Sequence, residues 1–214
     1  MNTKNTIAAI PLALITSLAL PATASAASSD WAGPYIGAHL GSGQENSVNF
    51  DVAGGGTSES FDMTGILGGV QGGINWAAGG MVVGFEVSAS AADVSGDGNC
   101  PNPAYQCGAK LDQLYTIQGK VGIPLNNVLL YASAGGASSH IEATVTGPER
   151  FSNSDNQTGW VAGLGGAMAL ANNWNGVIEL QYLDFGSNDY SLGGTAVSME
   201  SNFVTLKVGV NYMF

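Results

Sequence analysis

The chain has 214 residues, 32 of them glycine, with only 10% charged side chains and a net charge of −11. The length suits a single all-β domain, and the glycines follow no Gly-X-Y period, which excludes a collagen. So acidic a chain offers no basic face to a phosphate backbone, so nucleic acid is not an expected partner.

The chain opens as an export signal. Lys4 is the only charge before Asp30, an apolar run covers 7–20 with Pro11 inside it, and Pro21 follows. Ala24-Ser25-Ala26 is a small-x-small site suited to signal peptidase. We therefore expect a signal peptide over 1–26 and a mature domain over 27–214. The apolar core is short of the roughly 20 residues a spanning helix needs. Cleavage removes Lys4 and leaves every acidic residue, with Lys110, Lys120, Arg150 and Lys207 as the remaining basic side chains.

Beyond that point the recurring signal is alternation with period two, the mark of strands. Ile36, Ala38 and Leu40 alternate with Tyr35, Gly37, His39 and Gly41. Ile66, Val70, Ile74 and Trp76 alternate with Leu67, Gln71 and Asn75. Val83, Phe85, Val87 and Ala89 alternate with Gly84, Glu86, Ser88 and Ser90. Tyr115, Ile117, Val121 and Ile123 alternate with Thr116, Gln118, Lys120 and Gly122. The segment 128–144 is β-like with ambiguous facing. Trp160, Ala162, Leu164, Met168 and Leu170 alternate with Gly159, Gly163, Gly165 and Ala167, and Ile178, Leu180 and Tyr182 with Glu179 and Gln181. The last segment is the clearest: Val204, Leu206, Val208, Val210, Tyr212 and Phe214 share one face, and Thr205, Lys207, Gly209, Asn211 and Met213 the other.

Eight segments result. Short turns at 76–80, 124–127 and 171–174 alternate with polar stretches at 42–64, 91–110, 145–157 and 186–197, which read as long loops. Short turns at one rim and long loops at the other are the arrangement of outer-membrane barrels. The expected fold is therefore all-β: an eight-stranded antiparallel transmembrane β-barrel after a cleaved signal peptide. Eight strands enclose an interior just wide enough to be filled by side chains. Glu86, Lys120, Glu179 and Lys207 fall on its inward face, where opposite charges pair because an unpaired one is costly. They read either as structural filling or as a gate. Trp31, Trp76, Trp160 and Trp174, with Tyr182, Tyr212 and Phe214, lie near strand ends and read as an interfacial aromatic girdle.

Other constellations carry less. Cys100 and Cys107 lie in a Pro- and Asn-rich segment, and in an exported chain the default is a loop disulfide. Zinc would need two more ligands nearby. Asp93, Asp97 and Asn99 resemble part of a calcium loop, but the spacing of a full site is not met. No metal or other cofactor is expected. Ser138, His140 and Glu142 are the residue types of a hydrolase. Same-face neighbours along a strand are about 7 Å apart, however, too far for a nucleophile and its base.

The stretch Trp31-Ala-Gly-Pro-Tyr-Ile-Gly-Ala-His-Leu-Gly41 resembles the opening strand of the opacity-type, porin-like small outer-membrane β-barrel proteins, which carry a Trp-x-Gly-x-Tyr-x-Gly pattern. Residues 65–76, Val83-Gly-Phe-Glu86 and Gln118-Gly-Lys120-Val-Gly122 are similar to that family's second, third and fourth strands, although Arg is commoner than Lys at position 120. The closing residues Val210, Tyr212 and Phe214 look like the signal read by the barrel-assembly machinery. The resemblance implies residence in the outer membrane and contact with its lipid. It also implies assembly by that machinery, and surface exposure with any host or extracellular ligand bound by the loops. A structural surface protein is the expected function. The competing readings are a small-solute or ion pore, an adhesin, and a lipid A hydrolase using Ser138, His140 and Glu142.

Overall fold

A computed structural model describes residues 30–48, 50–52, 56–57, 61–100, 105–148, 150–192 and 195–214; the expected signal peptide lies outside them. Alternating apolar and polar side chains force each segment into an extended ribbon, since only a strand sends neighbours to opposite faces. The strands are β1 (Gly33–Val48), β2 (Phe50–Val52), β3 (Gly56–Thr57), β4 (Phe61–Ala78), β5 (Met81–Asn99), β6 (Gln106–Leu125), β7 (Val128–Thr146), β8 (Arg150–Ala169), β9 (Trp174–Leu192) and β10 (Thr195–Met213).

Eight long strands, β1 and β4 to β10, pair antiparallel with their sequence neighbours, and β10 returns to β1 from Tyr35↔Met213 to Gln44↔Val204. The ring is closed. Closure satisfies every backbone donor and acceptor inside lipid, where an open edge could not survive. β2 and β3 form a small ribbon added to β10 at Val197–Met199.

The tight turns sit at one rim. Gly79 and Gly80 both adopt positive φ, 59° and 87°, as the two-residue turn joining β4 to β5 demands. Asn126, Asn172 and Asn173 take left-handed φ at the other two. Both ends of the barrel sequence lie at this rim, which is the periplasmic one by the length rule.

The stretches read as long loops are mostly strand. Residues 42–48 continue β1, 91–99 and 106–110 extend β5 and β6, 150–157 open β8, and 186–192 finish β9. Polar composition reports water on one face, not loss of the ladder. Outside the bilayer an outward polar side chain is solvated whether or not its backbone is paired. β6 has 20 residues, far more than the ~9–11 that cross a membrane. The barrel therefore projects well beyond the lipid.

Facing follows the alternation. Leu40, Ile66 and Leu164 are about 70% exposed, at 70%, 71% and 68%, within a continuous band that includes Val70, Ile117, Leu130, Ile178, Leu180 and Val208. Only lipid makes such a band tolerable. In β7, whose facing the sequence left open, Leu129, Tyr131 and Ser133 point inward and Leu130 outward. In β6 the inward set changes phase at Asp112: Leu111 and Leu114 are both interior, and a register shift separates Leu111 from Gln113.

The interior has three tiers. At the outer end an apolar core joins Met63, Val94, Leu111, Leu114, Ile141, Leu183, Phe185 and Phe203. At the periplasmic end a smaller one joins Trp31, Val82, Leu129, Tyr131 and Ala167. Polar side chains fill the space between. Trp76, Trp160 and Trp174 are half exposed on the outside, where a girdle needs them, but Trp31 is 3% exposed and belongs to the interior. It precedes the first strand residue, so no alternation fixes its direction.

Candidate functional site

The four inward charges meet in the polar tier. Glu86 on β5 and Lys120 on β6 are diagonal neighbours, because Glu86 pairs with Gln118. The Lys120 ammonium lies 2.7 Å from Glu86 Oε2 and 4.0 Å from Glu179 Oε2. Tyr35 donates its hydroxyl to Glu86 Oε2 at 2.8 Å, and Ser133 donates to Glu179 Oε1 at 2.8 Å. Lys120 also stands 4.5 Å from the centre of the Tyr131 ring, whose electron-rich face attracts a cation. Lys207 sits opposite Glu179 in the ladder and lines the same cavity, yet among the described residues its ammonium has no ion pair within 4.0 Å. The structure thus brings together three of the four predicted charges, with Lys207 beside them.

Three partners of this cluster were not singled out by sequence. Tyr35 was placed inward by its alternation, but nothing in the sequence tied it to Glu86. Tyr131 and Ser133 lay in the segment of ambiguous facing. The room for Tyr131 comes from Gly165 across the β7–β8 pair, where an added Cβ would stand 2.3 Å from the ring. Gly165→Ala should therefore push the Tyr131 ring off Lys120 and lower stability by about 1–3 kcal/mol, the usual range for overpacking. Thermal unfolding of the refolded barrel would measure this.

Above the charges runs a second polar chain. His39 Nε2 lies 2.8 Å from Ser90 Oγ, its Nδ1 meets Gln71 Oε1, and Gln71 Nε2 donates to Asn211 Oδ1 at 2.7 Å. His39 is thereby an interior polar residue within a hydrogen-bonded row. The cavities near these groups are small, about 30 Å³ beside Trp31 and Lys120 and about 20 Å³ beside His39 and Lys207.

The remaining candidates lie elsewhere. Ser138, His140 and Glu142 face outward on β7, with Ser139 and Ile141 inward, and His140 Nδ1 is 3.0 Å from Asn156 Oδ1. Val210 and Phe214 are exposed to the bilayer side. The rings of Trp174, Tyr212 and Phe214 stack edge to face at 5.3 Å each along the periplasmic rim. Asp93 pairs with Lys110 at 3.4 Å, and Asp112 with the same ammonium at 3.2 Å, on the exposed outer part of the barrel. Hydrogen bonding and attraction from Asp112, then from Asp93, hold Lys110 above its ordinary pKa.

Cys100 and Cys107 form a disulfide across the β5–β6 connection, where Gly98 also pairs with Cys107. Converting both to serine should leave barrel assembly intact, since the bond closes a hairpin that the ladder already aligns. Loss of the folded species on gels of unheated protein would refute this.

Known proteins match this geometry. A family model described as an outer membrane protein beta-barrel domain matches residues 10–214. A 22 kDa outer membrane protein of Rhizobium leguminosarum bv. viciae is 30% identical over 186 residues, covering 85% of this chain and 78% of that protein. A 25 kDa outer-membrane immunogenic protein of Brucella canis is 32% identical over 101 residues, covering 46% of this chain and 45% of that protein, so the match spans under half of that relative. In fold, the chain is similar to the outer membrane protein OprG of Pseudomonas aeruginosa. That likeness has a TM-score of 0.51 at 15% identity, over 86% of this chain and 96% of that one. With its closed ring of eight long strands, its lipid-facing apolar band and these relatives, the chain belongs to the outer-membrane β-barrel family and resides in the cell outer membrane.

Proposed function

We propose that the protein is a non-enzymatic surface protein that strengthens the envelope and presents a tall β-structured rim outside the cell. The observation that carries this reading is the filled interior, with an apolar core at each end and ion-paired polar groups between. Glu86, Lys120, Glu179 and Lys207 then serve as packing for a narrow barrel, and the charge-assisted bonds of the first three join β1, β5, β6, β7 and β9. The outward direction of Ser138, His140 and Glu142 supports the absence of hydrolase chemistry.

Val210, Tyr212 and Phe214 act as the signal for the barrel-assembly machinery. Their outward, stacked arrangement on the closing strand supports this role. The rim carries any host or extracellular ligand. The strand extensions hold it rigidly above the bilayer, which favours recognition by a preformed surface.

Planar-bilayer recording on the refolded mature protein tests the reading. Silence from a protein shown to be folded supports a filled barrel. Reproducible discrete steps would replace it with a pore, and the charged tier would become its selectivity element.

A further inference from the structure

Trp31 lies at the periplasmic mouth in a position that its neighbours explain. Gly33 has φ 135°, a conformation that L side chains rarely adopt, and it turns the chain where β1 begins. The Trp31 ring then packs on Val82, Leu129, Tyr131 and Ala167, inside the barrel. Its carbonyl accepts a hydrogen bond from Asn75 Nδ2 at 3.2 Å. No ladder bond holds Trp31 itself, because strand pairing between β1 and β4 starts at Gly33↔Asn75. Among the described residues, the Asn75 bond and the ring packing hold it in place.

Beneath it lie two small cavities that share Lys120, Tyr131, Val177 and Asn211 as wall residues. The wall is rich in donors. Gln71 uses its amide nitrogen on Asn211 Oδ1, so its oxygen accepts from His39 Nδ1–H, and His39 Nε2 accepts from the Ser90 hydroxyl. Asn211 and Lys207 also line it; Lys207 is 6% exposed, and among the described residues its ammonium has no ion pair within 4.0 Å. A buried ammonium is stabilised by hydrogen-bond acceptors, so this polar chamber suits water.

The two ends of the chamber differ in kind. Toward the outside it is closed by Met63, Leu114, Ile141 and Leu183, each fully buried and fixed in a paired strand. Toward the periplasm the cover is Trp31 packed on Val82, Leu129, Tyr131 and Ala167, and Trp31 stands outside the ladder, two residues before Gly33.

We propose that Trp31 is a hinged lid, and that the Lys207–Asn211 chamber beneath it takes up water from the periplasmic side alone. The outer apolar tier is the permanent seal, and the charged cluster is the chamber wall, not the gate.

Ser88, which lines the cavity beside His39 and Lys207, reports access when changed to cysteine in a barrel carrying Cys100→Ser and Cys107→Ser. The probe is methanethiosulfonate ethylammonium, and folding of each variant is checked by the mobility of unheated protein in SDS. The labelling rate follows the fraction of open lid, so Trp31→Ala should raise it about tenfold or more. Asn75→Ala, which releases the lid carbonyl and spares the ring packing, should raise it severalfold and serves if Trp31→Ala fails to fold. Leu114→Ala, in the outer seal, should leave the rate unchanged. Equal rates with and without the lid changes would overturn the proposal, as would acceleration by Leu114→Ala alone. The readout is independent of whether the barrel conducts.

Discussion

Lys120→Met should lower the unfolding free energy by about 3–5 kcal/mol, the cost of removing one partner from a buried ion pair. The ammonium is the direct cation for Glu86 at 2.7 Å and lies 4.0 Å from Glu179. Without it, Glu86 keeps the Tyr35 hydroxyl and Glu179 the hydroxyls of Ser133 and Tyr131, all neutral donors. The further change Glu86→Gln should recover much of the loss, since it removes one of the stranded charges. Urea unfolding in lipid vesicles, followed by tryptophan fluorescence, measures both variants. A loss under about 1 kcal/mol would mean that water reaches the pair and screens it as it does a surface pair.

The second large effect concerns the outer face. Leu164→Arg places a charge in the middle of the apolar band, where the cost is about 2–4 kcal/mol. Leu164 is 68% exposed and sits on β8 between Trp160 and Met168. Thr158→Arg, outward on the same strand beyond the Trp160 ring, should cost about 0–1 kcal/mol because the side chain reaches the interface. The contrast between the two variants, measured by the same unfolding experiment, locates the bilayer on the barrel. Equal costs would show that the band does not face hydrocarbon.

Much of this architecture was legible in the residues. Alternation such as Val204 to Phe214 against Thr205 to Met213 states both the strand and its two environments, because a period of two admits no other regular structure. The same pattern put Glu86, Lys120, Glu179 and Lys207 inside. Polar stretches misled for a physical reason: above the bilayer, water solvates the outward face of a strand as well as it solvates a loop. Hence 91–99 and 150–157 are strand although their composition suggested otherwise.

By itself the sequence determined the extended conformation, the number of long strands, the inward and outward sets of every long strand but β7, and the charges enclosed, because these depend on local periodicity and on burial. The tertiary structure alone decided which charges pair, since the Lys120–Glu86 contact and the looser position of Lys207 depend on register and on the space left by Gly165 and Ser133. It also decided the place of Trp31, which precedes the first paired residue and is directed by a glycine turn and by the mouth of a closed ring. Closure joins β1 to β10, and no local pattern in either strand encodes what the other will bring to it.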